Sequence, residues 1–149
     1  MSTEENKAVM KHFWKEMLNE GKIEKANEFV ADDYVYHAPG DHIIKGIEGF
    51  KKYMAWIHDS FPGAQFTVDD LIAEGDKVVS LYTMKGTDKS NKPVEFQGVV
   101  ISHIVNGKEA EVWDIFDRFT LALQLAPGWA KAILRSIEKQ MVKDQPWES

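Results

Sequence analysis

Residues 65–86 read QFTVDDLIAEGDKVVSLYTMKG, and this stretch decides the fold. Apolar and polar residues alternate through Gln65–Glu74 and again through Lys77–Gly86. The two runs meet at Gly75-Asp76, a two-residue hairpin signal. Alternation of this length marks strands with one buried face. Downstream the pattern repeats: Pro93–Val105 and Glu109–Leu121 form a second predicted strand pair about Asn106-Gly107.

Upstream the period is helical. Ser2-Thr-Glu-Glu5 reads as a capping box. Val9, Met10, Phe13, Trp14, Met17 and Leu18 then share one side of a helix that Gly21 stops. A shorter helix is predicted over Ile23–Val30, and a short strand over Tyr34–Ala38 ending at Pro39-Gly40. A third helix follows Gly46, with Ile47, Phe50, Tyr53, Met54, Ile57 and Phe61 as its stripe, and Phe61-Pro62-Gly63 ends it. A last amphipathic helix runs from Trp129 to Met141, with Ala130, Ile133, Leu134, Ile137 and Met141 on one face. That stripe is expected to dock on the sheet or on a dimer mate. Helices first and long hairpins after them point to one α+β domain over residues 1–149, with helices packed on one side of a curved sheet.

Composition narrows the function. A formal net charge of −6 and the lack of a basic stripe argue against a nucleic-acid partner. With no cysteine, disulfides, thiolate chemistry and Cys-ligated metal sites are excluded. The opening residues lack a signal peptide's apolar core, and no apolar run approaches the ~20 residues that span a bilayer. A cytoplasmic location without membrane association is therefore expected. No phosphate-cradling glycine motif, GxSxG elbow or HExxH is present, so no cofactor is expected. Five Trp, eight Phe and four Tyr are enough to line a cavity as well as fill a core.

The candidate chemistry sits in the last hairpin. Simple alternation places Trp113, Ile115, Asp117 and Phe119 on one face. An Asp among aromatic rings is one whose pKa burial raises, leaving a group able to take and return a proton. The competing structural reading pairs Asp117 with Arg118 or a nearby Lys. Whether His103 joins Asp117 depends on the turn. A strict two-residue Asn106-Gly107 loop puts them on opposite faces, whereas a three-residue loop with a glycine bulge puts them on the same one. His37 and His42 bracket Asp41, but on a turn with no further ligand set, so no metal site is expected.

Taken in order, several segments resemble the SnoaL-like polyketide cyclases, within the nuclear-transport-factor-2-like superfamily. They are Tyr34-Val-Tyr-His37, Gly46-Ile-Glu-Gly49-Phe, Phe61-Pro-Gly63 and Asp69 through Val78. Gly86-Thr87, Asn106-Gly-Lys108, Glu111-Val-Trp113 with Asp117, and Gln124-Leu125 complete the series, which spans about 5–126. The resemblance implies a cone-shaped, antiparallel or mixed sheet with the N-terminal helices on its concave side, enclosing a pocket. It also implies a homodimer.

In such cyclases a strand Asp deprotonates the substrate, and the resulting carbanion closes a ring by intramolecular aldol addition without metal or cofactor. Asp117 falls at the family's Asp position, and His103 where a helper His can stand. Trp14, His37, Tyr53 and Trp113 are then expected to bind a small hydrophobic ketone or ester. The chain departs from the family pattern at Asp88, at Lys92–Gly98 and in the extension over about 128–143. A ligand-binding protein built on the same cone is the alternative function. A structural module with its cavity filled by its own aromatics is a third.

Overall fold

The computed structural model describes residues 1–143. Helix α1 spans Thr3–Phe13 and opens on the anticipated capping box. The Ser2 hydroxyl accepts from the Glu5 amide at 3.1 Å, and the Glu5 carboxylate accepts from the Ser2 nitrogen at 2.6 Å. The helix widens into a π-helical stretch over Trp14–Asn19, and the chain leaves it through Gly21 at φ +66°. The expected second helix divides into a 3-10 turn, Ile23–Lys25, and the four-residue α2, Ala26–Phe29. Val30 already belongs to β1, Val30–Ala38. A short β2, His42–Lys45, returns beside it and was not anticipated, because four residues are too few to show a period. Helix α3 then spans Gly46–Ser60.

Both hairpins form where anticipated, the last strand shorter than read: β3 Gln65–Glu74, β4 Lys77–Thr87, β5 Pro93–Val105 and β6 Lys108–Phe116. The six strands form one sheet in the order β2-β1-β6-β5-β4-β3, antiparallel except where β1 runs parallel to β6. Helices α1 and α3 cover its concave face, α1 over β3 and β4 and α3 over β1 and β2. Their stripes (Met10, Phe13, Trp14 and Met17; Phe50 and Met54) meet Val78, Tyr82, Met84, Val100, Ile104 and Val112 in the buried core. The fold is mixed α+β.

The last hairpin combines features of both anticipated turns. Val105 faces Lys108 across Asn106 and Gly107, whose φ values of 51° and 75° make a two-residue turn of type I′. The register then shifts: Ile104 opposes Glu109 and His103 opposes Glu111, leaving Ala110 as a bulge. Beyond it odd residues pair with odd. His103, Glu111, Trp113 and Ile115 face outward, while Val112, Asp114 and Phe116 face the helices.

Two expectations are corrected here. Residues 117–121 are not strand: β6 ends at Phe116, and α4 begins at Arg118 and runs to Leu125. The last helix, α5 at Gly128–Val142, packs on α4 and not on the sheet, the first of its two anticipated docking places; the other, a dimer mate, is not part of a single chain. Trp129 and Ile133 are 74% and 55% exposed. Among the described residues no helix is long and apolar enough to cross a membrane.

Candidate functional site

Between the concave sheet and helices α1, α3 and α4 lies a cavity of about 230 Å³. Its walls are almost wholly aromatic and aliphatic. Phe13, Trp14 and Leu18 come from the first helix, Tyr53, Trp56 and Ile57 from α3, and Leu121 and Leu125 from α4. The sheet contributes Tyr34, Tyr36, Tyr82, Phe96 and Phe116. Trp56, half exposed, marks the rim.

One carboxylate stands on this wall with a network of phenols around it. Asp114 Oδ2 accepts from the Tyr36 hydroxyl at 2.6 Å, and Oδ1 accepts from the Tyr82 hydroxyl at 3.1 Å. Since Tyr36 gives its proton to Asp114, the Tyr53 hydroxyl, 3.0 Å away, donates to the Tyr36 oxygen. The Tyr36 and Tyr53 rings lie 5.0 Å apart, and Trp14 packs 4.9 Å from Tyr82 while its indole N–H reaches Ser80 Oγ at 3.3 Å.

Burial pushes Asp114 up to about 6, against the two phenol hydrogen bonds that favour its ionised form. Burial likewise raises Tyr36 and Tyr82 far above the ordinary phenol range, with the Asp114 charge adding to it. Tyr53 is pushed up to about 12, mainly by burial. These phenols remain donors at any working pH. The arrangement is a carboxylate raised toward neutrality, mostly ionised at pH 7 and facing an apolar space, which suits it to moving a proton on and off carbon.

Of the residues expected from sequence, Trp14 and Tyr53 line the cavity. The others lie elsewhere. Asp117 is exposed and caps α4: its Oδ1 accepts from the Thr120 amide at 2.9 Å and its Oδ2 from the Thr120 hydroxyl at 2.6 Å. Those bonds hold its carboxyl below the usual range rather than above it. His103 lies on the outer face with Nε2 2.7 Å from the exposed Asp76 carboxylate, and does not meet Asp117.

His37 and Trp113 also face outward. Their rings stack at 5.1 Å, and His37 Nε2 lies 2.8 Å from Glu111. The physical reason is the phase of β6. Asp114, rather than Asp117, falls on the buried face with Val112 and Phe116, and the strand ends before Asp117 can join either face. The sequence did contain a signal, since Val112, Asp114 and Phe116 alternate as cleanly as Trp113, Ile115 and Asp117.

Comparison with known proteins agrees with this architecture. The profile of the SnoaL-like polyketide cyclase family matches residues 8–125. No curated protein matches at a significant level. Among solved structures, a Bacillus cereus protein described provisionally as a polyketide cyclase is 28% identical with a TM-score of 0.71. That match covers 81% of this chain and 80% of the other. IdmH from Streptomyces antibioticus, given the same provisional description, is 25% identical with a TM-score of 0.72, covering 80% of this chain and 97% of its own. AclR from Streptomyces galilaeus, described provisionally as a hydroxylase, shares the fold at 22% identity and TM-score 0.72, over 95% of this chain and 99% of its own.

Proposed function

The chain belongs to the SnoaL-like polyketide cyclase family, and from that premise we propose that it is a cofactor-independent acid/base enzyme with Asp114 as its base. The observation that carries this reading is Asp114, a phenol-bound carboxylate on the wall of an aromatic cavity. The substrate class is a small, largely apolar ketone or ester with an acidic carbon between carbonyl groups. The ionised Asp114 takes the proton from that carbon, leaving an enolate. The enolate carbon attacks a second carbonyl of the same molecule, forming the ring C–C bond, and the resulting alkoxide recovers the proton from Asp114. No proton or electron is left over, so no co-reactant is required. The apolar walls favour this order of events by limiting the water that reaches the enolate.

Turnover of a panel of aromatic β-keto esters, followed by absorbance and mass, tests the assignment. Wild type and Asp117→Asn should form product, while Asp114→Asn should lose it by a factor on the order of 10³. Equal activity in Asp114→Asn would overturn the mechanism. Both oxygens of Asp114 already accept hydrogen bonds, and this favours a second reading in which the cavity only holds its ligand. Thermal stabilisation of wild type and Asp114→Asn by the same compounds, without product from either, would select that reading. We also propose a cytoplasmic homodimer. The uncovered Trp129 and Ile133 of α5, and Ile72 and Ile115 on the outer face of the sheet, support the association.

A further inference from the structure

The cavity contains a second carboxylate that the proposed chemistry does not use. Glu109 is 2% exposed and lines the same space as Asp114. It faces inward because of the Ala110 bulge: without that extra residue an odd-numbered position of β6 would point outward with Glu111 and Trp113. Glu109 opposes Ile104 and Asp114 opposes Val100, so four strand rises, about 13 Å, separate them along the sheet. The Ser102 hydroxyl, itself buried, donates to Glu109 Oε1 at 2.5 Å.

Among the described residues Glu109 Oε2 has no hydrogen-bond partner, and neither has the hydroxyl of Tyr34, a cavity-lining residue 3% exposed on β1. Both residues line the cavity, so a ligand group there can meet these atoms, whereas the fully buried side-chain atom without a partner among the described residues is Asn6 Oδ1. Burial pushes Glu109 up to about 7, opposed by the Ser102 bond and reinforced by the charge of Asp114. Tyr34 on β1 and Asp114 on the same strand are the titratable groups acting with it.

What this end of the cavity offers is donors. Ser102 occupies one oxygen of the Glu109 carboxyl, so in the protonated acid the other O–H is free, and Tyr34, close enough for the Glu109 charge to act on it, lines the same cavity. At the Asp114 end the donors are spent: Tyr36 and Tyr82 on the carboxylate, Tyr53 on Tyr36. We propose that Glu109 and Tyr34 form a carbonyl-recognition subsite, so that the chain selects an elongated aromatic substrate bearing a carbonyl oxygen remote from the carbon facing Asp114. The subsite rests on the reading of the cavity as a substrate pocket, but it is tested by binding and not by turnover.

The probes are 2-acetylnaphthalene and its isostere 2-isopropenylnaphthalene, which replaces the carbonyl oxygen by a methylene. Wild type at pH 6 should bind the ketone about tenfold more tightly, the worth of one well-placed hydrogen bond. The preference should shrink several-fold by pH 8.5 as Glu109 loses its proton. Glu109→Gln, whose amide donates without titrating, should keep a preference that is flat with pH. Glu109→Leu should lose most of the preference and its pH dependence, and Tyr34→Phe should lose a smaller part of the preference.

An undiminished preference in Glu109→Leu, or none in wild type, would overturn the subsite. If Glu109→Leu does not fold, the contrast between the sloping wild-type profile and the flat Glu109→Gln profile decides the matter, and two identical profiles overturn it. Failure of both naphthalenes to bind wild type would overturn the pocket reading as well. Intact discrimination with no turnover of any keto ester would overturn only the role of Asp114.

Discussion

Asp114 is held by phenols that reach it from two different strands, and Tyr82 reaches it only because residue 98 has no side chain. Gly98 opposes both Tyr82 and Phe116 in the sheet. A Cβ there would lie 2.6 Å from the Tyr82 oxygen and 2.8 Å from Phe116 Cβ, closer than carbon atoms tolerate. Gly98→Ala should therefore displace Tyr82 at a cost of about 1–3 kcal/mol in stability. It should also remove one donor that favours ionised Asp114. The midpoint of the pH–rate profile, expected near the Asp114 value of about 6, should then move upward. An unchanged midpoint would mean that Tyr82 does not tune the carboxylate.

Element boundaries decide which Asp does what. Asp117 lies one residue beyond β6, where its short side chain can turn back onto the amide of Thr120 and start α4. Helix α4 in turn places Leu121 and Leu125 on the cavity wall, and the Gln124 side chain ties it to the Glu95 backbone at both nitrogen and oxygen. Asp117→Ala should cost about 1 kcal/mol, the usual worth of an N-cap. As the wall loosens KM should rise, while kcat stays within a factor of about two; these readouts come from denaturant midpoints and steady-state kinetics. A loss of kcat comparable with that of Asp114→Asn would return the base to Asp117. The Ala110 bulge is the other decisive element: one inserted residue lets Glu109 and Asp114, of opposite parity, face the same cavity.

For the molecule as a whole, two buried acids among the described residues titrate above their ordinary range and tie part of the stability to pH. Both bind their protons more tightly in the folded state, so between about pH 4 and pH 7 the folded chain carries more protons than the unfolded one. Stability contributed by these groups is therefore present at low pH and lost as pH rises through 6 to 7. Glu109→Gln should raise stability at pH 8 by on the order of 3 kcal/mol and leave it nearly unchanged at pH 4.5, as thermal melts at the two pH values will show. Equal gains at both would mean that Glu109 ionises without penalty. Removing residues 127–149, which takes away α5 and its exposed Trp129 and Ile133, should shift the chain toward monomer in sedimentation while the cavity residues keep their near-ultraviolet signature.

Local chemistry was enough to read much of the molecule from the sequence. The capping box, the alternation of 65–86, the turn residues Gly75-Asp76 and Asn106-Gly107, and the aromatic stripes of two helices all lie within a few positions of one another. They determined the α+β class and the two hairpins, while the ordered series of segments resembling the SnoaL-like cyclases pointed to the family and to Trp14 and Tyr53, which line the cavity. The site carboxylate was legible only to within one phase of a strand. Val112-Asp114-Phe116 and Trp113-Ile115-Asp117 alternate equally well, and one strand alone does not show which side faces the helices. Tertiary structure decided that, through the bulge at Ala110, the parallel pairing of β1 with β6 and the early start of α4. Tyr36, Tyr82, Glu109 and Asp114 come from three strands, β1, β4 and β6, that only the folded sheet brings to one cavity, where desolvation raises the proton affinity of both carboxylates against the hydrogen bonds they accept.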